Sequence, residues 1–268
     1  MRVSLGAVIV AICAAHDGNA GPTDPFAPAL VLDEHHFTAA LTYEVNLATP
    51  FGFSVSDVIL HGSPASLAPD LWYGVTPDLT VGVIHSDASI DRVPVFFEPG
   101  ETICIRLESV SCPRHYHGSG VDGLYALERG PLEVALHARV LLRDVAPIKP
   151  AITLGATLRW RYRWLSIVGD PYLQFGLANT NEGNRAELWL PVTFAYAPIA
   201  RASIELHTGY NTDVAEWNDA YYAPLLVRVR GRVTDQLDIG AGVGFASVLG
   251  PQNNPRERMM ELDVTWRD

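Results

Sequence analysis

The stretch LEVALHARVLLR, residues 132–143, alternates between two rows of side chains. The first row is Leu132, Val134, Leu136, Ala138, Val140 and Leu142, and the second is Glu133, Ala135, His137, Arg139, Leu141 and Arg143. Successive side chains of a β-strand point to opposite faces of the sheet, so a period of two residues predicts a strand. The first row is wholly apolar and the second mostly polar. The strand therefore separates an apolar surrounding from a polar one.

The same alternation recurs along the chain in stretches of about ten residues. The predicted strands cover residues 37–47, 67–75, 79–86, 121–128, 132–143, 151–164, 172–179, 185–196, 201–210, 220–233, 237–249 and 257–266. This gives twelve strands, an even number, and residues 51–60 leave a range of 10–14 because they fit a loop, an extension of the first strand or a separate strand. Short turns alternate with longer loops, which is typical of a membrane-spanning barrel.

The N-terminal residues have the layout of an export signal. Residues 1–20 contain Arg2, an apolar run from Leu5 to Ala15, and the small residue Ala20, which together predict a cleaved secretory signal peptide. Cleavage after Ala15 and lipid attachment at Cys13 are the alternatives. Residues 21–36 read as an extended periplasmic leader, and residues 37–268 as the barrel. No later run has the roughly 18 apolar residues of a spanning helix, so any membrane insertion must use closed strands.

Composition excludes one class of partner. The chain has 19 Lys plus Arg against 30 Asp plus Glu and a formal net charge of −11, which argues against binding to nucleic acid.

The longest irregular segment, residues 87–120, is expected to be an extracellular loop, because a barrel tolerates long connections there. It contains Cys104 and Cys112, which we expect to form a disulfide in an oxidising compartment. His115 and His117, with Cys112 and Asp122 close in sequence, offer a metal site as the alternative. We prefer to read them as polar loop residues, and we expect no metal and no cofactor.

Alternation alone would also fit a secreted barrel of the lipocalin type. Four features favour the membrane. Many strands approach the length of about 9–11 residues that a tilted strand needs to cross a bilayer. Aromatic residues gather near strand ends, as in interfacial girdles. Arginine rows lie opposite apolar rows on the same strands, and the chain ends on an alternating strand with an aromatic residue near its terminus.

Two arginine triplets are the candidate pore-lining residues. They are Arg159, Arg161 and Arg163 on one strand, and Arg228, Arg230 and Arg232 on another, with Glu133, Glu205 and Asp238 as neighbouring carboxylates. One interpretation is a basic constriction that favours anionic solutes. The other is a network of salt bridges that fills the barrel, because an enclosed arginine keeps its charge and needs a partner. We prefer the network.

Two further motifs are incomplete versions of known functional motifs. The run IGAGVGF at residues 239–245 lacks the third glycine and the helix of a dinucleotide fingerprint, so its small residues predict a smooth inner wall. Ser203 and His207 share a strand face, and His137 faces inward on another strand, but they form no recognisable hydrolase motif. We therefore predict no catalytic residues.

The closing strand, with Met260, Leu262, Val264 and Trp266, resembles the C-terminal strand of proteobacterial outer-membrane β-barrel proteins. The hairpin GVTPDLTVG at residues 74–82 is similar to their hairpins, and the resemblance covers residues 37–266. Arg267 and Asp268 depart from it, because they follow the tryptophan. The resemblance implies an all-β, transmembrane, antiparallel up-and-down β-barrel in the outer membrane. It also implies contact with outer-membrane lipids and lipopolysaccharide, and recognition by the barrel assembly machinery.

We expect the chain to act as a pore or passive transporter for small solutes. A structural or adhesive barrel that displays the Cys104–Cys112 loop is the alternative, and an outer-membrane lipid hydrolase is the third possibility.

Overall fold

The computed structural model describes residues 29–46, 65–85, 118–145, 147–251 and 258–268. No helix among these residues has the length and apolarity needed to cross a membrane. The strands are β1 (Phe37–Asn46), β2 (Ala65–Thr76), β3 (Leu79–Ile84), β4 (Ser119–Glu128), β5 (Leu132–Val145), β6 (Ile148–Tyr162), β7 (Leu165–Gly169), β8 (Tyr172–Gly176), β9 (Glu187–Trp189), β10 (Val192–Ile199), β11 (Ala202–Thr208), β12 (Asn211–Asp213), β13 (Tyr221–Arg232), β14 (Leu237–Leu249) and β15 (Arg258–Arg267), with a 3₁₀ turn at Thr180–Glu182.

These strands form one closed antiparallel barrel. Each membrane span pairs with the spans before and after it in the chain, and β1 pairs with β15, so the first and last strands close the sheet. The fifteen segments make twelve spans, as predicted, because three spans are each divided in two. Closure leaves no unpaired sheet edge, which is the condition for a sheet to enter a bilayer.

Proline accounts for two of the divided spans. Along β6, Leu158 pairs with Gly169 of β7 and Gly155 pairs with Tyr172 of β8 in one unbroken register. Pro171 lies between β7 and β8 and has no N–H to donate to the ladder. Pro191 divides β9 from β10 in the same way. The predicted strand start at Tyr172 is therefore wrong: the span begins at Leu165, and Pro171 obscured its first half in the sequence.

The two faces of the barrel differ in chemistry as the alternation predicts. On β5, Leu136 and Val140 are 50% and 63% exposed, whereas His137 and Arg139 are 6% and 7% exposed. The other spans repeat this arrangement, with large apolar side chains on the outside and charged side chains enclosed. A continuous apolar outer surface is far larger than a soluble monomer tolerates, and it matches the hydrocarbon of a bilayer.

The two ends of the barrel differ in their connections. At the short-turn end, each pair of spans is joined by a tight turn, as between Thr76 and Leu79 or Tyr162 and Leu165. The other end, the long-loop end, carries the longer connections. One of these is shorter than predicted, because β5 extends to Val145 and β6 begins at Ile148. In outer-membrane barrels the short turns face the periplasm, which orients the chain.

The two residues that follow Trp266 close the seam between β1 and β15. The N–H of Phe37 donates to Asp268 Oδ1 at 2.9 Å, and this bond holds the pKa of the Asp268 carboxyl below its ordinary value. Arg267 pairs with Asp238 of β14. On the outside, the rings of Trp266 and Phe37 pack with centroids 4.6 Å apart. Arg267 and Asp268, the two residues that follow the aromatic Trp266, therefore have a structural role.

Several predictions lie outside the described residues. They are the signal peptide at 1–20, the Cys104–Cys112 disulfide, the strand assignment of 51–60, and the pair His115 and His117. Of the predicted loop 87–120, the described part begins at Gly118, and Ser119 and Gly120 already belong to β4.

The outer face provides a test of the membrane assignment. Leu154 lies near the middle of β6 and is 55% exposed. We predict that Leu154→Arg lowers the free energy of unfolding by about 2–4 kcal/mol, because a charge on the lipid face must enter hydrocarbon. Urea unfolding in lipid vesicles measures this, with Leu154→Phe as the apolar control. Equal stability of the two variants would contradict a lipid-facing Leu154.

Candidate functional site

The barrel lumen is the candidate site, because it collects most of the charged side chains of the spans. Inward-facing ionic groups form three tiers along the axis. The lower tier, near the short-turn end, comprises Glu133, Arg159, Arg161, Glu205, Arg228, Arg230, Arg232, Asp238, Glu261, Asp263 and Arg267. The middle tier comprises Asp122, His137, Arg139 and Asp170, and the upper tier comprises Arg143, Asp144, Lys149 and Glu187.

One half of the lower tier is built by β5 and β6. Their register places Glu133 directly opposite Arg159, and the Glu133 carboxylate pairs with both Arg159 and Arg161. Arg159 is only 1% exposed. A guanidinium enclosed to this extent cannot shed its proton, so the carboxylate on the adjacent strand is a requirement of the fold.

The other half is built by β11, β13 and β15. Arg228 lies 2.7 Å from Glu205 and 2.7 Å from Glu261, and Arg230 lies 3.1 Å from Asp263 and 3.4 Å from Glu205. Gly240 of β14 makes room for this cluster, because a Cβ at that position would collide with the Asp263 carboxylate. The small residues predicted to form a smooth inner wall on β14 therefore leave space for larger charged side chains from the adjacent strands.

The last pair of the lower tier lies at the barrel's short-turn end, where Arg232 contacts Asp238 at 3.0 Å. Arg163 does not join its triplet. It occupies the turn between β6 and β7 with a φ of 53°, is exposed, and lies with its guanidinium 5.3 Å from the centre of the Tyr162 ring. The prediction that Arg163 lines the lumen is therefore wrong, because the alternation ends where the turn begins.

The middle tier centres on His137 and was missed as a group by the sequence analysis. His137 Nε2 lies 2.6 Å from Asp122 Oδ1, and Nδ1 lies 2.7 Å from Asp170 Oδ1. The His137 ring thus bridges carboxylates from two other spans. Trp72 Nε1 donates to Asp122 at 3.0 Å, and Arg139 pairs with Asp170 at 3.1 Å. In the sequence, these residues could be recognised only as inward-facing positions of their strands, which does not show that they contact each other.

Ser203 and His207, two of the residues considered for hydrolysis, contact one carboxylate. Ser203 donates to Glu205 at 3.3 Å, and His207 Nε2 contacts the same carboxylate at 3.0 Å. His207 Nδ1 contacts the hydroxyl of Thr193 at 2.9 Å. Within the described residues, the serine and the histidine therefore meet at Glu205 and form no hydrogen bond with each other.

A cavity of about 370 Å³ lies at the level of the lower tier, and we call it the chamber. It is lined by Ala29, Leu30, Leu32, Thr38, Ala40, Trp72, Thr80, Leu124, Arg159, Ser166, Val168, Thr193, Ala195, Glu205, His207, Arg228, Arg230 and Thr265. Among these lining residues, three are arginines and one is a carboxylate. The chamber thus combines a basic wall with hydroxyl groups and apolar surface.

Part of the leader closes the chamber toward the short-turn end. The N–H of Leu30 donates to Glu133 at 3.3 Å, and the N–H of Leu32 donates to the Thr80 hydroxyl at 2.8 Å. Val31 is 3% exposed. The N–H of His35 then donates to the carbonyl of Gly74 at 2.8 Å. The leader therefore enters the lumen and narrows it.

Comparisons with solved structures identify the architecture. The NanC porin aligns with 85% of this chain and 98% of its own, at a TM-score of 0.56 and 6% sequence identity. An outer membrane channel from Pseudomonas putida F1 aligns with 94% of this chain and 100% of its own, at a TM-score of 0.54 and 12% identity. This chain has the fold of bacterial outer-membrane β-barrel proteins. No family model and no curated protein matches it.

This result confirms the predicted all-β up-and-down barrel and supports a location in the outer membrane. The identities of 6% and 12% establish the fold alone.

The ion pairs provide a second test. We predict that Glu205→Gln costs about 1.5–3 kcal/mol of unfolding free energy, because it removes one of the carboxylates that pair with the enclosed guanidinium groups of Arg228 and Arg230. Urea unfolding in vesicles measures the loss. The matched control is Glu128→Gln, which changes an exposed residue at the end of β4 and should cost less than about 0.5 kcal/mol. A similar, small cost for both variants would show that the lumenal charges are not coupled.

The leader provides a third test. A Cβ at Gly74 would collide with the carbonyl of Asp33, whereas a Cβ at Gly123 has its nearest neighbour at 3.7 Å. We predict that Gly74→Ala displaces the leader, which increases ion conductance and exposes residues 29–36 to protease. Gly123→Ala should leave both properties unchanged. Unaltered conductance and protection in Gly74→Ala would show that the leader does not narrow the lumen.

Proposed function

We propose that this chain is a pore or passive channel for small solutes in the outer membrane, exported by a cleaved signal peptide. The observation that carries the proposal is the chamber of about 370 Å³ inside a closed membrane barrel. Its wall carries charged groups and hydroxyls, so it can replace part of the hydration of a polar solute. The similarity in fold to outer-membrane channels supports the same function.

The ion pairs determine what kind of pore the barrel forms. In the lower tier the inward arginines contact carboxylates, so the lumen presents both signs of charge to a passing ion. We therefore expect a narrow pore with low conductance and weak ion selectivity overall. This interpretation combines the two sequence hypotheses: the salt-bridge network fills much of the barrel, and the remaining space is the solute path.

Single-channel recording in planar bilayers tests the proposal. We expect a small, steady conductance from the purified, heat-modifiable barrel. Ala195→Phe should reduce it several-fold, because Ala195 faces the chamber. The control is Phe194→Leu on the adjacent lipid-facing position, which should not change it.

Absence of conductance in a correctly folded barrel would overturn the pore proposal. That result would favour the alternative in which the filled barrel only displays its extracellular loops.

A further inference from the structure

We propose that the chamber contains a binding recess for a small organic monocarboxylate with an apolar body. The proposal rests on the channel function and names the class of solute that the channel would take.

The recess is formed by a patch of small side chains in the barrel wall. Adjacent spans place Ser166 of β7 opposite Ala195 of β10, and Val168 opposite Thr193. Longer side chains flank this floor: Arg159 on β6 at one side, and His207 on β11 at the other. Neighbouring strands lie about 4.8 Å apart, so β6 and β11 are separated by roughly 14 Å. A depression of this width accommodates a small molecule.

Two buried donors in this region have no hydrogen-bond partner among the described residues. The Ser166 hydroxyl lines the chamber and its residue is 0% exposed, and Arg230 Nε is the second donor. Buried polar groups are nearly always satisfied, so an orphaned donor that borders a cavity points to an absent acceptor. A carboxylate oxygen is such an acceptor.

Each of the three chamber arginines is paired with a carboxylate. Glu133, Glu261 and Asp263 are not among the residues that line the chamber, so the chamber surface itself is basic and favours an anion over a neutral acceptor. Arg159, Arg228 and Arg230 face the chamber, and Glu205 is the one carboxylate among its described lining residues. The planar guanidinium binds carboxylates through two parallel N–H bonds. The anionic end of the solute would therefore lie over the floor of the recess, between Arg159 on β6 and the two arginines of β13, the strand next to β11.

The rest of the chamber favours an apolar body. Trp72 and Leu124 lie on strands across the lumen from the recess, and Leu30 and Leu32 of the leader approach from below. A polyhydroxylated acid or inorganic phosphate would leave this surface uncovered and would lose hydration without compensation. A volume of about 370 Å³ suits a molecule of the size of benzoate.

Calorimetric titration of the folded barrel with benzoate tests the recess. We expect benzoate to bind at least tenfold more tightly than benzamide, which has the same shape without the charge, and more tightly than inorganic phosphate. Ser166→Ala should weaken benzoate binding about tenfold, and Ser166→Thr, which keeps the hydroxyl, should restore most of it. The matched control is Ser247→Ala, which removes a buried serine hydroxyl that bonds the carbonyl of Leu249 and does not line the chamber.

A second variant tests the apolar wall. Leu124→Ala should weaken the binding of benzoate more than that of acetate, since acetate has no ring to bury. Heat-modifiable migration in a gel verifies that each variant is folded.

The outcomes separate the recess from the pore. No benzoate binding to the folded barrel, equal binding of benzamide, or equal effects of Ser166→Ala and Ser247→Ala would overturn the recess. Conductance without benzoate binding would overturn the recess alone. Benzoate binding without conductance would support the recess and overturn the pore.

Discussion

An arginine on the inner face of a narrow barrel must have a carboxylate within reach. The guanidinium group stays charged at any physiological pH, and the low-dielectric wall makes an isolated charge very costly. Arg159 meets this requirement through Glu133 on the next strand, and Arg228 through Glu205 on another. These pairs also fix the strand register, because a slip of one residue would turn each charged group toward lipid.

The ion pairs determine the space that is left in the lumen. Gly240 makes room for Asp263, which contacts Arg230, so the charged side chains can pack against the wall. The chamber lies over the small inward residues of β7 and β10. The leader then enters from the short-turn end and covers part of it. The packing of the charged side chains against the wall therefore determines both which part of the lumen is filled and which part remains as the chamber.

The strands and their faces could be predicted because both depend on local alternation. The pairing of Arg159 with Glu133 could also be predicted, since these residues belong to adjacent strands of one hairpin. Arg163 was assigned wrongly because alternation says nothing about where a turn starts. The first half of the span that contains Pro171 was missed because proline interrupts the pattern without ending the span.

The middle tier and the leader were beyond sequence reasoning for a different reason. Asp122, His137 and Asp170 lie on three spans, and the same cluster takes in Trp72 of β2, so only closure of the barrel brings them together. The position of Leu30 and Leu32 in the lumen depends on single hydrogen bonds to Glu133 and Thr80, which no periodicity records.

Site-directed spin labelling along β5 tests the central claim, that one face of each span meets lipid and the other encloses the charged lumen. A single cysteine would be placed at Leu136, Ala138 and Val140, and at the uncharged inward positions Ala135 and Leu141, after serine replaces the native cysteines. In lipid vesicles, the account predicts high accessibility to oxygen, which partitions into lipid, at positions 136, 138 and 140, and low accessibility at positions 135 and 141. Oxygen accessibility without this period of two would contradict the account.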